Sequence, residues 1–145
     1  MATINANINI SSDILSYPIR INKSMTMKKL TSCNGIDETT GLRAKRFTST
    51  DDAVIVEHDE LTDDKAHMVY IRNTSASKVN FFYVSYNAST ADATTTEPIG
   101  KLYGGDWMLF PYNGNTNISV ASSSATDTQV LEYMVFADGV LAAKG

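Results

Sequence analysis

The chain has 145 residues, enough for one domain with a core of its own, and its formal charge of −4 argues against binding along a nucleic-acid backbone, which needs a surplus of Lys and Arg. A lone cysteine, Cys33, excludes an internal disulfide, so the fold does not rest on oxidising conditions and synthesis in a reducing cytoplasm is expected. Ser and Thr make up about a fifth of the residues, and strong helix formers rarely combine at helical spacing, which favours β-structure.

Residues 1–13 (MATINANINISSD) carry no basic segment and no continuous apolar run, so no secretory signal is expected. Nor does any stretch approach the roughly 18 apolar residues of a membrane span, and no membrane partner is expected. Ile4, Ala6, Ile8 and Ile10 alternate with Asn5, Asn7 and Asn9, the pattern of a strand with one dry face. Tyr17, Ile19, Ile21, Met25 and Met27 share a phase interrupted at Lys23 and Ser24, which predicts a second long strand ending at Leu30 and bulged near Lys23. Residues 31–41 contain Asn34-Gly35 and little apolar content and read as a loop.

Short strands are expected at 42–48 and 53–57, then a charged connection at 58–65 with room for one helical turn capped by Thr62 or Asp63. The runs MVYIR (68–72) and VNFFYVSY (79–86) flank a polar turn and predict the clearest hairpin of the chain. Residues 87–97 are small, polar and aperiodic, as in a surface loop. Further strands are expected at 99–103, 107–111, 117–121 and 129–136. Within GGDWMLFPYNGN (104–115), Gly104-Gly105 can supply positive φ or a bulge, Pro111 with Asn113-Gly114 predicts a closing hairpin turn, and Trp107 and Phe110 are the expected core anchors.

About nine short strands without helical periodicity predict an all-β fold, a single antiparallel β-sandwich or jelly-roll-like domain over residues 1–145. Residues 1–16 form its N-terminal strand or arm, and 137–145 a tail that is either frayed or engaged between subunits. The charges are segregated. Residues 17–46 hold seven basic side chains against two acidic ones, and 51–64 hold seven acidic and no basic. Arg20, Lys28, Lys29, Arg43, Lys45 and Arg46, with Asp59, Glu60, Asp63 and Asp64, are therefore candidate interface residues, either neutralising each other within a subunit or meeting across copies.

His58 and His67 beside Glu57, Asp59, Glu60, Asp63 and Asp64 match neither an EF-hand nor a zinc spacing, so no metal is expected. No serine lies in a nucleophile elbow, no His neighbours Cys33, and no phosphate loop occurs; an enzyme and a cofactor are not expected. Trp107, Tyr103 and Tyr112 could stack on sugars if exposed, but sandwich cores use the same residues.

With the strands laid out, VYIRNTS (69–75), IGKLYGGDWMLFPYNGNTNISV (99–120), VLEYMVF (130–136) and, more weakly, NINISSDI (7–14) resemble a family of small β-rich virion structural proteins of tailed bacteriophages, particularly myoviruses of marine cyanobacteria. The resemblance implies a non-enzymatic part of the virion, made in the host cytoplasm. Its leading form is a capsid decoration or cement protein on the outer shell, with itself (a small cyclic oligomer, a trimer being one candidate) and the major capsid protein or another virion protein as partners. In that role the strand at 3–10 would add to a partner's sheet edge, the basic residues would meet an acidic shell, and Trp107 would be buried in its own core or a subunit interface. The alternative is a neck, tail-fibre or baseplate component, with glycans as a candidate ligand and Trp107, Tyr103 and Tyr112 exposed.

Overall fold

The computed structural model describes residues 3–29, 36, 38–86, 98–139 and 141. Their strands are β1 (Asn5–Ser12), β2 (Ile19–Thr26), β3 (Glu38–Thr39), β4 (Arg43–Phe47), β5 (Ala53–Val56), β6 (His67–Asn73), β7 (Phe81–Tyr86), β8 (Gly100–Tyr103), β9 (Trp107–Tyr112), β10 (Ile118–Ser122) and β11 (Gln129–Ala137). Eleven strands occur among the described residues against the nine or so expected; β3, inside the stretch expected to be a loop, is the one with no expected counterpart. Among the described residues the one helical turn is a 3-10 turn at His58–Glu60, upstream of the expected caps. Cys33 and residues 87–97 lie outside the described residues.

The antiparallel pairs β4·β11, β5·β10, β6·β9 and β7·β8 are nested, first strand with last and second with next to last. Residues 43–137 are thus one long folded hairpin, wrapped so that its strands fall alternately into two sheets, β5-β10-β7-β8 and β3/β4-β11-β6-β9. This strand order is that of a jelly roll. It corrects two local expectations. β6 and β7 do not form a hairpin but lie in opposite sheets, and so do β9 and β10 on either side of the Asn113-Gly114 turn. A turn reverses the chain without specifying which sheet the next strand joins.

Inward side chains of both sheets make the core. Val69, Ile71, Leu131 and Val135 face Phe82, Val84, Ile118 and Val120, all at most 2% exposed, and Phe47 meets Phe82 edge-on with centroids 4.9 Å apart. At one end of β6, buried Asn73 donates to the Leu102 carbonyl (2.9 Å) and buried Gln129 donates to Ser122 Oγ (2.6 Å). At the other end, buried His67 accepts the Asp138 N–H at Nδ1 (3.0 Å), so its proton lies on Nε2, 2.8 Å from the Thr62 carbonyl. Each end of the sandwich is closed by polar groups that satisfy one another, as burial requires.

Gly104 is needed for space: a Cβ there would lie 2.1 Å from the Ser77 carbonyl oxygen. Gly105 and Gly114 supply the positive φ (94° and 88°) expected of their turns. The tail begins inside the domain: Ala137 and Asp138 are buried and Leu141 packs against the core. For these residues the expectation of a frayed or subunit-bridging segment is corrected, since β11 runs on to Ala137 and Asp138 is held by His67.

The N-terminal arm is longer than residues 1–16. β1 and β2 form a two-stranded sheet of their own, in unbroken register from Asn5↔Thr26 to Ser12↔Ile19, so the arm includes the second strand and has no bulge at Lys23. Ala6, Ile8 and Ile10 share one face with Met25, Lys23 and Ile21, while Asn5, Asn7 and Asn9 share the other with Thr26, Ser24 and Asn22. The face expected to be dry is largely wet, with Ile10 44% exposed.

Candidate interaction surface

The outward face of β11, β6 and β9 is unusual for an outer sheet face. Register places Met134, Tyr70 and Leu109 in one row, and Phe136, Met68 and Pro111 in the next. The third row, Glu132, Arg72 and Trp107, is more polar. Tyr70 donates to Glu132 Oε1 (2.9 Å) and Arg72 lies 3.9 Å from the same oxygen, forming a polar rim beside the apolar rows. Burial, and then the Glu132 hydrogen bond and charge, push the Tyr70 hydroxyl above its ordinary pKa.

The root of the arm lies against this face. Ile4, Ala6 and Met27 line a hollow with Leu109, Met134 and Phe136, and Met27 is buried. Farther along, a cleft of about 300 Å³ separates Ala6, Ile8 and Met25 on the arm from Met68, Leu109 and Trp107 on the sheet. The arm lines this cleft no farther out than Ile8 and Lys23. Beyond it, a more open hollow of about 510 Å³ is bounded by Tyr70, Arg72, Gly105, Trp107 and Leu109, with no arm residue among them.

Trp107 is 53% exposed, which corrects its assignment as a core anchor. The reason is parity. Trp107 and Phe110 stand three residues apart on one strand and therefore point to opposite faces; Phe110 opposes inward Val69 and packs against the core, whereas Trp107 opposes outward Arg72. Tyr112 is buried, and its hydroxyl donates to the Thr116 carbonyl. Burial first, then Tyr86 and Asp63, push that hydroxyl up to about 12. Tyr103 stands on the other outer surface of the sandwich, against Phe81 (5.1 Å), with Lys101 Nζ 4.7 Å from the Phe81 centroid.

The charged candidates separate into three places. Arg20 and Lys28 are exposed on the arm, and Lys29 follows them. Arg43, Lys45 and Arg46 line the outer edge of β4, where Arg43 pairs with buried Glu60 at 3.3 Å and Lys45 Nζ lies 5.7 Å from the Phe47 ring centroid. Asp59 and Asp63 are exposed, while Asp64, at φ 57°, exchanges two hydrogen bonds with Asn115 (2.9 and 2.7 Å). The two charge blocks therefore meet at Arg43–Glu60, where the basic and acidic candidates neutralise each other within one subunit and Glu60 is buried.

His67, facing Thr62 and Asp138, is turned away from the exposed carboxylates, and among the described residues no group of three or more His, Cys, Asp and Glu is placed to hold a metal ion. The apolar outer rows were missing from the candidate residues. Their signal is present in the sequence: MVYIR and YMVF are apolar at consecutive positions rather than alternate ones, the mark of a strand covered on both faces. Comparison with protein-family models, with curated proteins and with solved structures finds no match to this chain.

Proposed function

We propose that this chain is a non-enzymatic structural protein of a virus particle, acting as a decoration or cement subunit on the outer shell. The observation that carries this reading is a surface built for protein contact: an outer sheet face with two apolar rows, overlain at one side by an arm whose own apolar face is left exposed from Ile8 outward. The stronger segments that resemble phage virion proteins fall on β6, β8 to β10 and β11, the strands that carry that face and its supporting core, and the weaker one, at 7–14, falls on β1 of the arm and the residues after it. The jelly roll is a frequent scaffold of capsid and lectin domains, a likeness of scaffold and not of site.

A cement role needs contact with several neighbours, and exposed Arg20, Lys28 and Arg46 supply positive charge for an acidic shell. The neck, fibre or baseplate reading draws on exposed Trp107. It is the weaker of the two, because Trp107 and Tyr103 stand on opposite surfaces of the sandwich and Tyr112 is buried, so the three cannot form one sugar-stacking platform. The test is the stoichiometry and position of the chain in purified particles. Copy numbers comparable to the major capsid protein, with density on the shell, are expected; a low copy number with density only at the neck or tail would refute the decoration role.

A further inference from the structure

The outer half of the arm and the hollow that opens past Trp107 are complementary features of one chain: the arm reaches one side of Trp107 and Leu109 across the narrower cleft and leaves the other side open. The arm's apolar stripe runs outward from Ala6 and Met25 through Ile8 to the Ile10·Ile21 pair and Ile19, and its tip adds Ile14 (81% exposed) and Tyr17. Only the root of this stripe meets its own sheet; among the described residues, the apolar cleft beneath the arm ends at Ile8 and Lys23. An isolated two-stranded hairpin is marginal in water, so its outer half needs a cover. The hollow bounded by Tyr70, Arg72, Trp107 and Leu109 is the matching deficit: open surface, apolar at Trp107 and Leu109 and polar at its Arg72 rim, with no arm residue on it.

Charge separates the two features in the same sense. Residues 1–29 hold four basic side chains and one acidic, whereas residues 30–145 hold eight basic and fifteen acidic. A positive, apolar arm is attracted to a negative body, and each copy carries one of each. We infer that the outer half of the arm docks on a second copy of this chain, laying Ile10, Ile19 and Ile21 into the hollow around that copy's Trp107 and Leu109. This packing continues outward what the arm root does within its own subunit, where the same face covers Leu109, Met134 and Phe136. The contact joins two different surfaces, so repeated from copy to copy it closes into a ring when the rotation permits.

The inference extends the particle reading, in which copies stand side by side, but its test uses the isolated full chain, so that failure of either leaves the other standing. A photo-crosslinking residue is placed at Ile21 in protein mixed equally from normal and heavy-nitrogen preparations. Crosslinks of mixed isotope from position 21 to residues 105–109 are expected. Crosslinks confined to one chain, crosslinks from arm to arm, or none at concentrations where the chain sediments as an oligomer would overturn the docking seat. A second measurement uses Ile10→Asp with Ile21→Asp, both outside the sandwich. Weakening of self-association by on the order of tenfold or more is expected, with the thermal unfolding of the sandwich retained. Unchanged self-association of that variant would equally overturn the inference.

Discussion

The jelly roll and the arm both place an apolar residue at every second position of a strand, with further apolar residues between them in β6, and come out differently. In β6, Val69 and Ile71 are wholly buried because a second sheet stands opposite them. In β1, Ile8 and Ile10 alternate just as regularly, yet both stay substantially exposed because the hairpin has no second layer over its outer half. Alternation specifies which side of a strand seeks cover, and topology decides whether the same subunit provides it. The sandwich is complete in one copy; the arm has a face left over.

Substitutions that break this contrast should rank accordingly. Phe82→Ala removes the ring at the centre of the core and should cost about 3–5 kcal/mol by denaturant unfolding. Gly104→Ala should cost about 3 kcal/mol, since the added Cβ would overlap the backbone oxygens of Ser77 and Ser75 in the β6–β7 connection, and these are backbone rather than flexible side-chain atoms.

Alkali probes the same interior without mutation. The folded chain holds the Tyr112 proton up to about 12, against 10.0 for an ordinary tyrosine, so this contribution is complete below pH 10 and is lost as pH rises from 10 to 12. Stability should fall by on the order of 2 kcal/mol across that window, and Tyr112→Phe should make the fall shallower, leaving the share from Tyr70 and Tyr86, whose hydroxyls are also pushed up. The smallest effect belongs to the arm: Ile10→Ala should change the unfolding free energy of the dilute chain by less than about 0.5 kcal/mol, because the side chain is already 44% exposed. A cost near that of Phe82→Ala would mean that the arm is part of the cooperative core.

Much of the fold was legible in local pattern. Apolar runs bounded by turn residues locate the strands at 68–72, 79–86, 107–111 and 129–136 within a residue or two of β6, β7, β9 and β11, and Gly105 and Gly114 fall where positive φ is required. Pairing was not legible in the same way. The polar turn after β6 looks like a hairpin turn, but in a jelly roll only β7 and β8 are neighbours both in sequence and in one sheet, so every other connection from β4 to β11 misleads a local reading. Strand parity alone separates Trp107 from Phe110, since residues 107 and 110 on one strand cannot both face the core. The outer apolar rows were visible as unbroken runs but were read as strand propensity alone, because nothing local says whether the second covered face belongs to a core or to a partner. The charge blocks were real, and only the register of β4 against β11 and the position of the 3-10 turn bring Arg43 to Glu60.

The most direct measurement is amide hydrogen exchange, resolved by segment, over a dilution series of the full chain. The account predicts that β6, β7, β10 and β11 stay protected at every concentration, whereas β1 and β2 lose protection as the oligomer dissociates. Arm amides that remain as protected in the monomer as those of β6 would contradict it, for the arm would then be held by its own subunit.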